Sequence, residues 1–267
     1  MTAPRLVLAI DAATEHIAIG IASVSDAGTV VLAACDFPAP RAALGAILPT
    51  VSGILASVDL TPGEIDVVAV GRGPGSFTGV RIAVATAKGL AQGLGVPLVG
   101  FGTLDAVAWR FCGHEGLVGV VGDAMRGEVY PCLFRCQGGL CERVDAYHVA
   151  KPDDAARVWA DAAGEPVLLA GNGLHKYEKV FSGVLGTNAI LAEESTWTPT
   201  GASVIAAVLA ERESPSLADA IGGSRLELLD PAVLLPVYTR LSDAEEAEAR
   251  RVDGPPASGV AGPGGGA

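Results

Sequence analysis

The chain has 267 residues, of which 50% are hydrophobic and 5% aromatic, so it can bury one large core or two cores of ordinary size. Its formal net charge of −12 excludes a protein that holds nucleic acid or an anionic membrane by charge alone, and any work on RNA would need a basic partner. The apolar run near the N-terminus is too short for a signal peptide and no later run has the length of a membrane span, so we expect a cytoplasmic protein.

The first half of the chain predicts elements in the order βββαβαβ. Three apolar runs separated by short polar turns are typical of an antiparallel meander. A helix, a buried strand, a second helix and a last strand follow. The predicted ranges are 6–10, 17–24 and 30–35 for the meander, 41–58 for the first helix, 65–70 for the buried strand, 77–94 for the second helix and 96–100 for the last strand.

The turn between the buried strand and the second helix opens the segment GRGPGSFTGVRIAVATAKGL, residues 71–90. Its glycines and Pro74 end the strand, and Ser76 or Thr78 can cap the helix. Backbone amides at a helix N-terminus attract anions, but this turn lacks the Gly-Lys-Ser/Thr of a P-loop. Ser76 also stands where a dinucleotide-binding fingerprint that begins at Gly71 would need its third glycine.

The second helix, predicted over 77–94, has almost no polar face. One side carries large apolar residues that can dock on the helix's own sheet, and the other side holds small or apolar residues where a surface helix usually carries charge. We therefore predict a second packing partner, either another part of this chain or another subunit. A helix buried within one large domain is the alternative. The residues predicted to bind a partner are Phe77, Gly79, Val80, Arg81, Ala83, Val84, Ala87 and Lys88.

The second half of the chain repeats the same order of elements. Duplicated βββαβαβ(α) order is the topology of the actin-like, sugar-kinase and heat-shock ATPase superfamily, in which two lobes surround a cleft. We therefore predict a two-lobed actin-like α/β fold, with an N-terminal lobe over 1–103, a C-terminal lobe over 104–240 and an acidic, then Gly/Pro-rich, disordered tail over 241–267. The ranges are 117–121, 129–136 and 140–149 for strands, 153–162 for a helix, 167–170 for a strand, 176–185 for a helix, 189–191 for a strand and 200–213 for a helix.

A partial nucleotide-binding motif follows the first strand. In ATPases of this superfamily an aspartate at the end of that strand meets phosphate and metal. Asp11 stands there, but Ala12 and Ala13 follow it and only Thr14 supplies a hydroxyl. Asp11 and Thr14 are therefore nucleotide-binding candidates, and the alternative is that Asp11 accepts backbone N–H bonds within the turn.

The cysteines and histidines give no metal-ligand pattern. The four histidines are scattered, and the spacing of Cys132, Cys136 and Cys141 matches no zinc pair, so we expect no metal and no cofactor. Five cysteines, an odd number, indicate reduced thiols rather than a disulfide framework.

Two further turns carry polar residues that allow two interpretations. Asp123, Arg126 and Glu128 lie between two predicted strands, where a salt-bridged hairpin is the ordinary structure and a ligand-binding turn is the alternative. The loop Gly171-Asn172-Gly173 fits a tight turn, or a loop that approaches a ligand.

These segments together resemble the TsaB (YeaZ) family, whose members are needed to make threonylcarbamoyladenosine in bacterial tRNA. The resemblance covers about residues 5–248 and rests on LVLAIDAATE, GRGPGSFTGVRIAVATAKGLA, DAMRGEVY, GNG and PVYTRLSDAEEAE. The chain departs from the family pattern at Ala43, Leu44 and Gly45, where a polar His-Ser-Glu run is usual, and at Ala12 and Ala13, where Thr-Ser is usual. Both departures weaken the case for ligand chemistry in the first lobe.

The resemblance implies a partner rather than a reaction. It implies a non-catalytic scaffold that pairs, through helices of the N-terminal lobe, with the catalytic paralog TsaD, and that is joined by the small ATPase TsaE. The complex modifies position 37 of tRNAs that read codons starting with A, so this chain would reach tRNA only through the complex. A homodimer is expected when the partner is absent. The alternative function is an ATP-dependent phosphotransferase or carbamoyl transferase of the same fold, with Asp11 at the phosphates.

Overall fold

A computed structural model describes residues 3–39, 43–210 and 234–237 of the chain. The tail predicted over 241–267 and the end of the helix predicted over 200–213 lie outside these ranges.

The first five strands form one sheet in the order β3-β2-β1-β4-β5. The first three strands make the predicted antiparallel meander, and β4 and β5 run parallel to β1. Two helices connect the later strands, so the predicted βββαβαβ order is confirmed. The bounds are β1 Arg5–Asp11, β2 His16–Ser25, β3 Gly28–Pro38, α1 Ala43–Ala56, β4 Val67–Gly71, α2 Phe77–Leu94 and β5 Leu98–Phe101.

Helix α2 begins and ends where the sequence predicts. The Ser76 side chain accepts a hydrogen bond from the backbone N–H of Gly79, which caps the first turn. Gly95 ends the helix in the left-handed conformation with a φ of 69°.

The next five strands form a second sheet in the order β10-β9-β6-β7-β8. Strands β6, β7 and β8 make an antiparallel meander, and β9 and β10 run parallel to β6, as in the first sheet. This repeat confirms the predicted duplication. The bounds are β6 Gly116–Asp123, β7 Val129–Gln137, β8 Leu140–Arg143, α4 Pro152–Ala163, β9 Val167–Ala170, α5 Leu174–Leu185, β10 Ala189–Leu191 and α6 Gly201–Ala210, with 3-10 turns at Pro62–Glu64, Trp109–Phe111, Gly186–Asn188 and Glu194–Thr196.

Successive residues of β1 point to two different cores. Leu8 and Ile10 pack with α1 and α2 on one face of the first sheet. Val7 and Ala9 pack on the opposite face with Val204, Ile205 and Val208 of α6. The first sheet is therefore covered on both faces, and the helix that covers its second face follows the second sheet in the chain.

A short helix that the sequence analysis did not predict, α3 (Thr103–Ala108), lies at the junction of the two lobes. Leu104 and Val107 pack in the core of the second lobe, whereas Ala106 packs with α6 in the core of the first. Helices α3 and α6 therefore make contacts across the boundary between the two lobes, which was predicted between residues 103 and 104.

The hairpin of β7 and β8 differs from the prediction in two ways. β8 ends at Arg143 instead of residue 149. Beyond Arg143 a side chain replaces a backbone acceptor of the strand pairing, because the Asp145 carboxylate accepts the backbone N–H of Leu133 at 2.7 Å. Cys136 and Cys141 form a disulfide where reduced thiols were expected, because the register places them directly opposite each other, with Cα atoms 4.1 Å apart.

Candidate functional site

The glycines of the turn before α2 pack against the turn after β1. A Cβ atom at Gly75 or Gly79 would overlap a backbone carbonyl of the segment Asp11–Ala13, so only glycine allows this approach of one backbone to the other. A Cβ atom at Gly71 would overlap the Asp11 carboxylate. The backbone N–H of Ser76 also donates to the carbonyl of Ala13 at 2.6 Å. The glycine spacing is thus explained by packing between two turns, at the place where a phosphate-binding loop was considered.

The two nucleotide-binding candidates use their side chains within the fold. Asp11 is fully buried; its carboxylate accepts the Thr103 hydroxyl at 2.6 Å and the backbone N–H of Ala13 at 2.9 Å. Burial raises the pKa of Asp11 above its ordinary value, and these two hydrogen bonds oppose the rise. The Thr14 hydroxyl bonds the backbone N–H and C=O of His16, each at 3.2 Å. These bonds favour the interpretation of Asp11 as a turn-stabilising residue.

Thr103 is a site residue that the sequence analysis missed. It is buried, donates to Asp11 and accepts the backbone N–H of Gly73 at 3.2 Å, so it ties together the ends of β1, β4 and β5. Its position just after β5 is the signal that could have found it, because the carboxyl ends of parallel strands meet at one edge of a sheet.

The predicted partner-binding residues of α2 fall into a buried group and an accessible group. The buried residues pack against the first sheet and α1 within this chain, so they lie beneath the accessible residues. The second group is exposed or partly exposed, and the Arg81 guanidinium stacks 3.5 Å from the centre of the Phe77 ring. The buried residues are Gly79, Val80, Ala83, Val84 and Ala87; the accessible ones are Phe77, Arg81 and Lys88.

Helices α1 and α2 pack side by side on one face of the first sheet, so α1 supplies part of the second packing surface predicted for α2. A different side of the two helices is exposed. We call it the α1–α2 face, and it consists of the exposed residues Gly45, Leu48, Ser52, Gly53 and Ala56 of α1 and Phe77, Arg81, Ala85, Gly89 and Gln92 of α2.

The α1–α2 face is largely apolar and poor in charge. Leu48 and Phe77 are 49% and 47% exposed. A Cβ atom at Gly45, Gly53 or Gly89 would meet nothing within 4 Å, so another backbone can approach these helices closely. Helix α1 contains no charged residue, and α2 contains two basic residues and no acidic one, although the whole chain has a net charge of −12.

The Asp123–Glu128 turn matches the salt-bridged hairpin interpretation. Asp123 accepts the backbone N–H of Met125 and pairs with Lys176, and Glu128 lies 3.5 Å from the Lys151 ammonium. The hydrogen bond from Lys176 to Asp123 raises the pKa of the lysine. The loop Gly171–Gly173 lies beside this turn, because the Asn172 side chain accepts the backbone N–H of Asp123 at 3.1 Å.

The described residues contain neither a cluster of metal-ligand side chains nor a helix that could cross a membrane. Within the ranges 3–39, 43–210 and 234–237, His, Cys, Asp and Glu side chains do not gather in threes to form a metal site. The helices in these same ranges lack the length and hydropathy that crossing a bilayer requires.

A family profile described as TsaD, tRNA N6-adenosine threonylcarbamoyltransferase, matches residues 39–221 of the chain. Two similar curated proteins are each described as tRNA threonylcarbamoyladenosine biosynthesis protein TsaB. The Bacillus subtilis protein is 30% identical over 203 residues, which cover 74% of this chain and 80% of that protein. The Escherichia coli protein is 38% identical over 168 residues, which cover 61% of this chain and 70% of that protein.

The fold is similar to the solved structure of YeaZ from Pseudomonas aeruginosa. The TM-score is 0.69 at 24% sequence identity, over 88% of this chain and 99% of that chain. This likeness concerns the fold. Together with the TsaD profile it confirms the predicted two-lobed actin-like α/β architecture.

Proposed function

Because this chain belongs to the TsaB (YeaZ) family of tRNA threonylcarbamoyladenosine biosynthesis proteins, we propose that it is a non-catalytic subunit that pairs with a TsaD-type catalytic paralog through the α1–α2 face. In this function the chain holds and activates the subunit that modifies position 37 of tRNA. It contacts tRNA only within the complex, which the ATPase TsaE joins.

The observation that carries this proposal is the exposed, apolar and nearly uncharged α1–α2 face. Two adjacent helices expose mostly small or apolar residues, in a chain whose formal net charge is −12. A contiguous exposed apolar patch is typical of a surface that binds another protein, a membrane or a ligand, and depletion of charged residues is typical of the core of a protein–protein interface. The same face would pair two copies of this chain when the paralog is absent.

An ATP-dependent transferase is less well supported. The Asp11 carboxylate and the Thr14 hydroxyl are both bonded to groups of the same chain, and the turn before α2 packs on the backbone of Asp11–Ala13. A phosphate group would have to break these bonds before it could meet either side chain.

A pairing measurement with the purified TsaD paralog from the same organism tests the proposal. The variant Ala85→Glu places a carboxylate at the centre of the α1–α2 face, and Arg81 and Lys88 lie within one helical turn of it, so the helix itself tolerates the charge. We expect affinity for the paralog to fall by about 100-fold or more, because the new charge would be buried at the interface.

The matched control is Val158→Glu on α4, which adds the same carboxylate at an exposed helix position in the second lobe. This variant should bind like the unmodified chain. Unchanged binding by Ala85→Glu, or equal losses in both variants, would show that the α1–α2 face is not the pairing surface.

A further inference from the structure

Three motifs from distant parts of the sequence meet where the two lobes contact each other. Glu15 lies in the turn after β1, Asp123 ends β6, and Asn172 follows β9. The turn after β1 and the turn after β6 occupy equivalent places in the duplicated lobes, so each lobe presents the corresponding turn to the cleft. The pairing function on the α1–α2 face gives these motifs no role.

The Asn172 side chain links the lobes with both ends of its amide. Its Oδ1 accepts the backbone N–H of Asp123 within the second lobe at 3.1 Å. That donor fixes which end of the amide is the oxygen, and the Nδ2 group therefore faces the first lobe. There it donates to Oε2 of Glu15 at 2.8 Å, across 157 residues of sequence.

The other oxygen of the same carboxylate meets a second residue of the second lobe. Nε2 of His175 lies 3.8 Å from Oε1 of Glu15, and Nδ1 of His175 lies 3.3 Å from Glu194. The histidine ring also packs against Trp197, with ring centres 5.0 Å apart. The imidazole is therefore held on several sides, and it presents one nitrogen to the first lobe.

We propose that Glu15, Asn172 and His175 form a clasp that holds the two lobes at one fixed angle and keeps the cleft closed whether or not nucleotide is present. One oxygen of Glu15 accepts a hydrogen bond from Asn172, and the other faces His175, so both oxygens of this first-lobe carboxylate face residues of the second lobe. The α1–α2 face is then always presented in the same orientation relative to the second lobe.

The angle between the lobes can be measured as a distance between two spin labels in the full-length chain. Val30→Cys in β3 and Val158→Cys in α4 place one exposed label site in each lobe, at positions 61% and 62% exposed. Cys35 and Cys112 are replaced by serine, and Cys132 is buried and stays in place. Pulsed electron resonance then gives the distribution of label distances with and without Mg²⁺ and ATP.

The clasp predicts one narrow distance distribution that Mg²⁺ and ATP leave unchanged. Asn172→Asp keeps the oxygen that accepts the Asp123 N–H but replaces the donor that faces Glu15 with a carboxylate oxygen. The two carboxylates repel each other, so the width of the distance distribution should increase about twofold or more. The double variant Glu15→Gln/Asn172→Asp exchanges donor and acceptor, and it should restore the narrow distribution. Glu178→Gln removes an exposed carboxylate from the same helix as His175 and should change nothing.

Two results would overturn the clasp: a distribution that stays narrow in Asn172→Asp, or a double variant as broad as the single one. A second peak that ATP induces in the unmodified chain would do the same. If Asn172→Asp does not fold, Glu15→Ala removes the carboxylate alone and must broaden the distribution instead. The labelled chain is diluted in an excess of unlabelled chain, so only distances within one copy are measured, and the outcome does not depend on whether the α1–α2 face binds a partner or a second copy.

Discussion

At the scale of single residues, identical glycines in one helix have opposite roles. Gly79, in the first turn of α2, leaves room for the carbonyl of Ala12, whereas Gly89 lies at an open position of the α1–α2 face. The sequence shows both as glycines in a small-residue helix. Only the packing of α2 on the turn after β1 distinguishes them.

Alanine at each position should therefore have opposite effects. Gly79→Ala should lower the free energy of unfolding by about 1–3 kcal/mol, because the methyl group overlaps the Ala12 backbone. Gly89→Ala should raise it by roughly 0.5–1 kcal/mol, because alanine loses less backbone entropy in a helix and meets no neighbour. Urea unfolding of the two variants measures both values, and two shifts of the same sign would contradict the packing of the two turns.

Asp11 gives a prediction about pH. Burial raises its pKa above the ordinary value of 3.8, so the folded chain binds this proton more tightly than the unfolded chain does. Stability from this group is therefore greatest below pH 3.8 and is lost as the pH rises through the folded-state pKa. Asp11→Asn cannot lose a proton there, so the stability of the unmodified chain relative to the variant should fall as the pH increases above about 4. Urea unfolding of both proteins over a pH series measures this, and a constant difference would indicate an unshifted Asp11.

At the scale of elements, the sequence predicts where helices and strands lie in the chain better than it predicts which elements pack against each other. Ser76 and Gly95 carry local signals that define both ends of α2. Helix α6 is apolar on most sides, which predicts burial, but its sequence does not say which sheet it covers. The structure packs it on the first sheet, although it follows the second one in the chain.

A change in α6 should therefore weaken the first lobe. Ile205 is 2% exposed and packs with β1 and β2, so Ile205→Ala should cost about 2–5 kcal/mol. Ile190→Ala in β10, where the side chain is 44% exposed, should cost about 1 kcal/mol or less. Hydrogen exchange should rise mainly in β1–β3 of the Ile205 variant, and a rise confined to the second sheet would contradict the assignment of α6 to the first.

At the scale of the whole molecule, the parts that the sequence could not predict are the contacts between distant segments. The duplicated element order predicted the two-lobed fold. The bond between Thr103 and Asp11 spans 92 residues and the bond between Asn172 and Glu15 spans 157, and neither has a local pattern. The sequence also does not distinguish, among the residues of α2 predicted to bind a partner, the ones that are buried within the lobe from the ones that are accessible.

The net charge of −12 predicts that this chain alone binds tRNA poorly. Fluorescence anisotropy with labelled tRNA should show no saturable binding by the isolated chain at physiological salt, and binding should appear when the TsaD paralog is added. Tight, salt-sensitive binding by the chain alone would mean that a basic surface on this protein meets tRNA directly.

The most direct test of a pairing subunit without chemistry of its own is a reconstituted tRNA modification reaction. Purified TsaD and TsaE, ATP, the threonylcarbamoyl donor and tRNA are combined with this chain or its variants, and threonylcarbamoyladenosine is quantified by mass spectrometry. Product should form only when this chain is present. The amount formed with Thr14→Ala should stay within about twofold of the amount formed with the unmodified chain, and no product should form with Ala85→Glu. Loss of product with Thr14→Ala, together with full activity of Ala85→Glu, would place chemistry in the cleft and contradict the proposed role of the α1–α2 face.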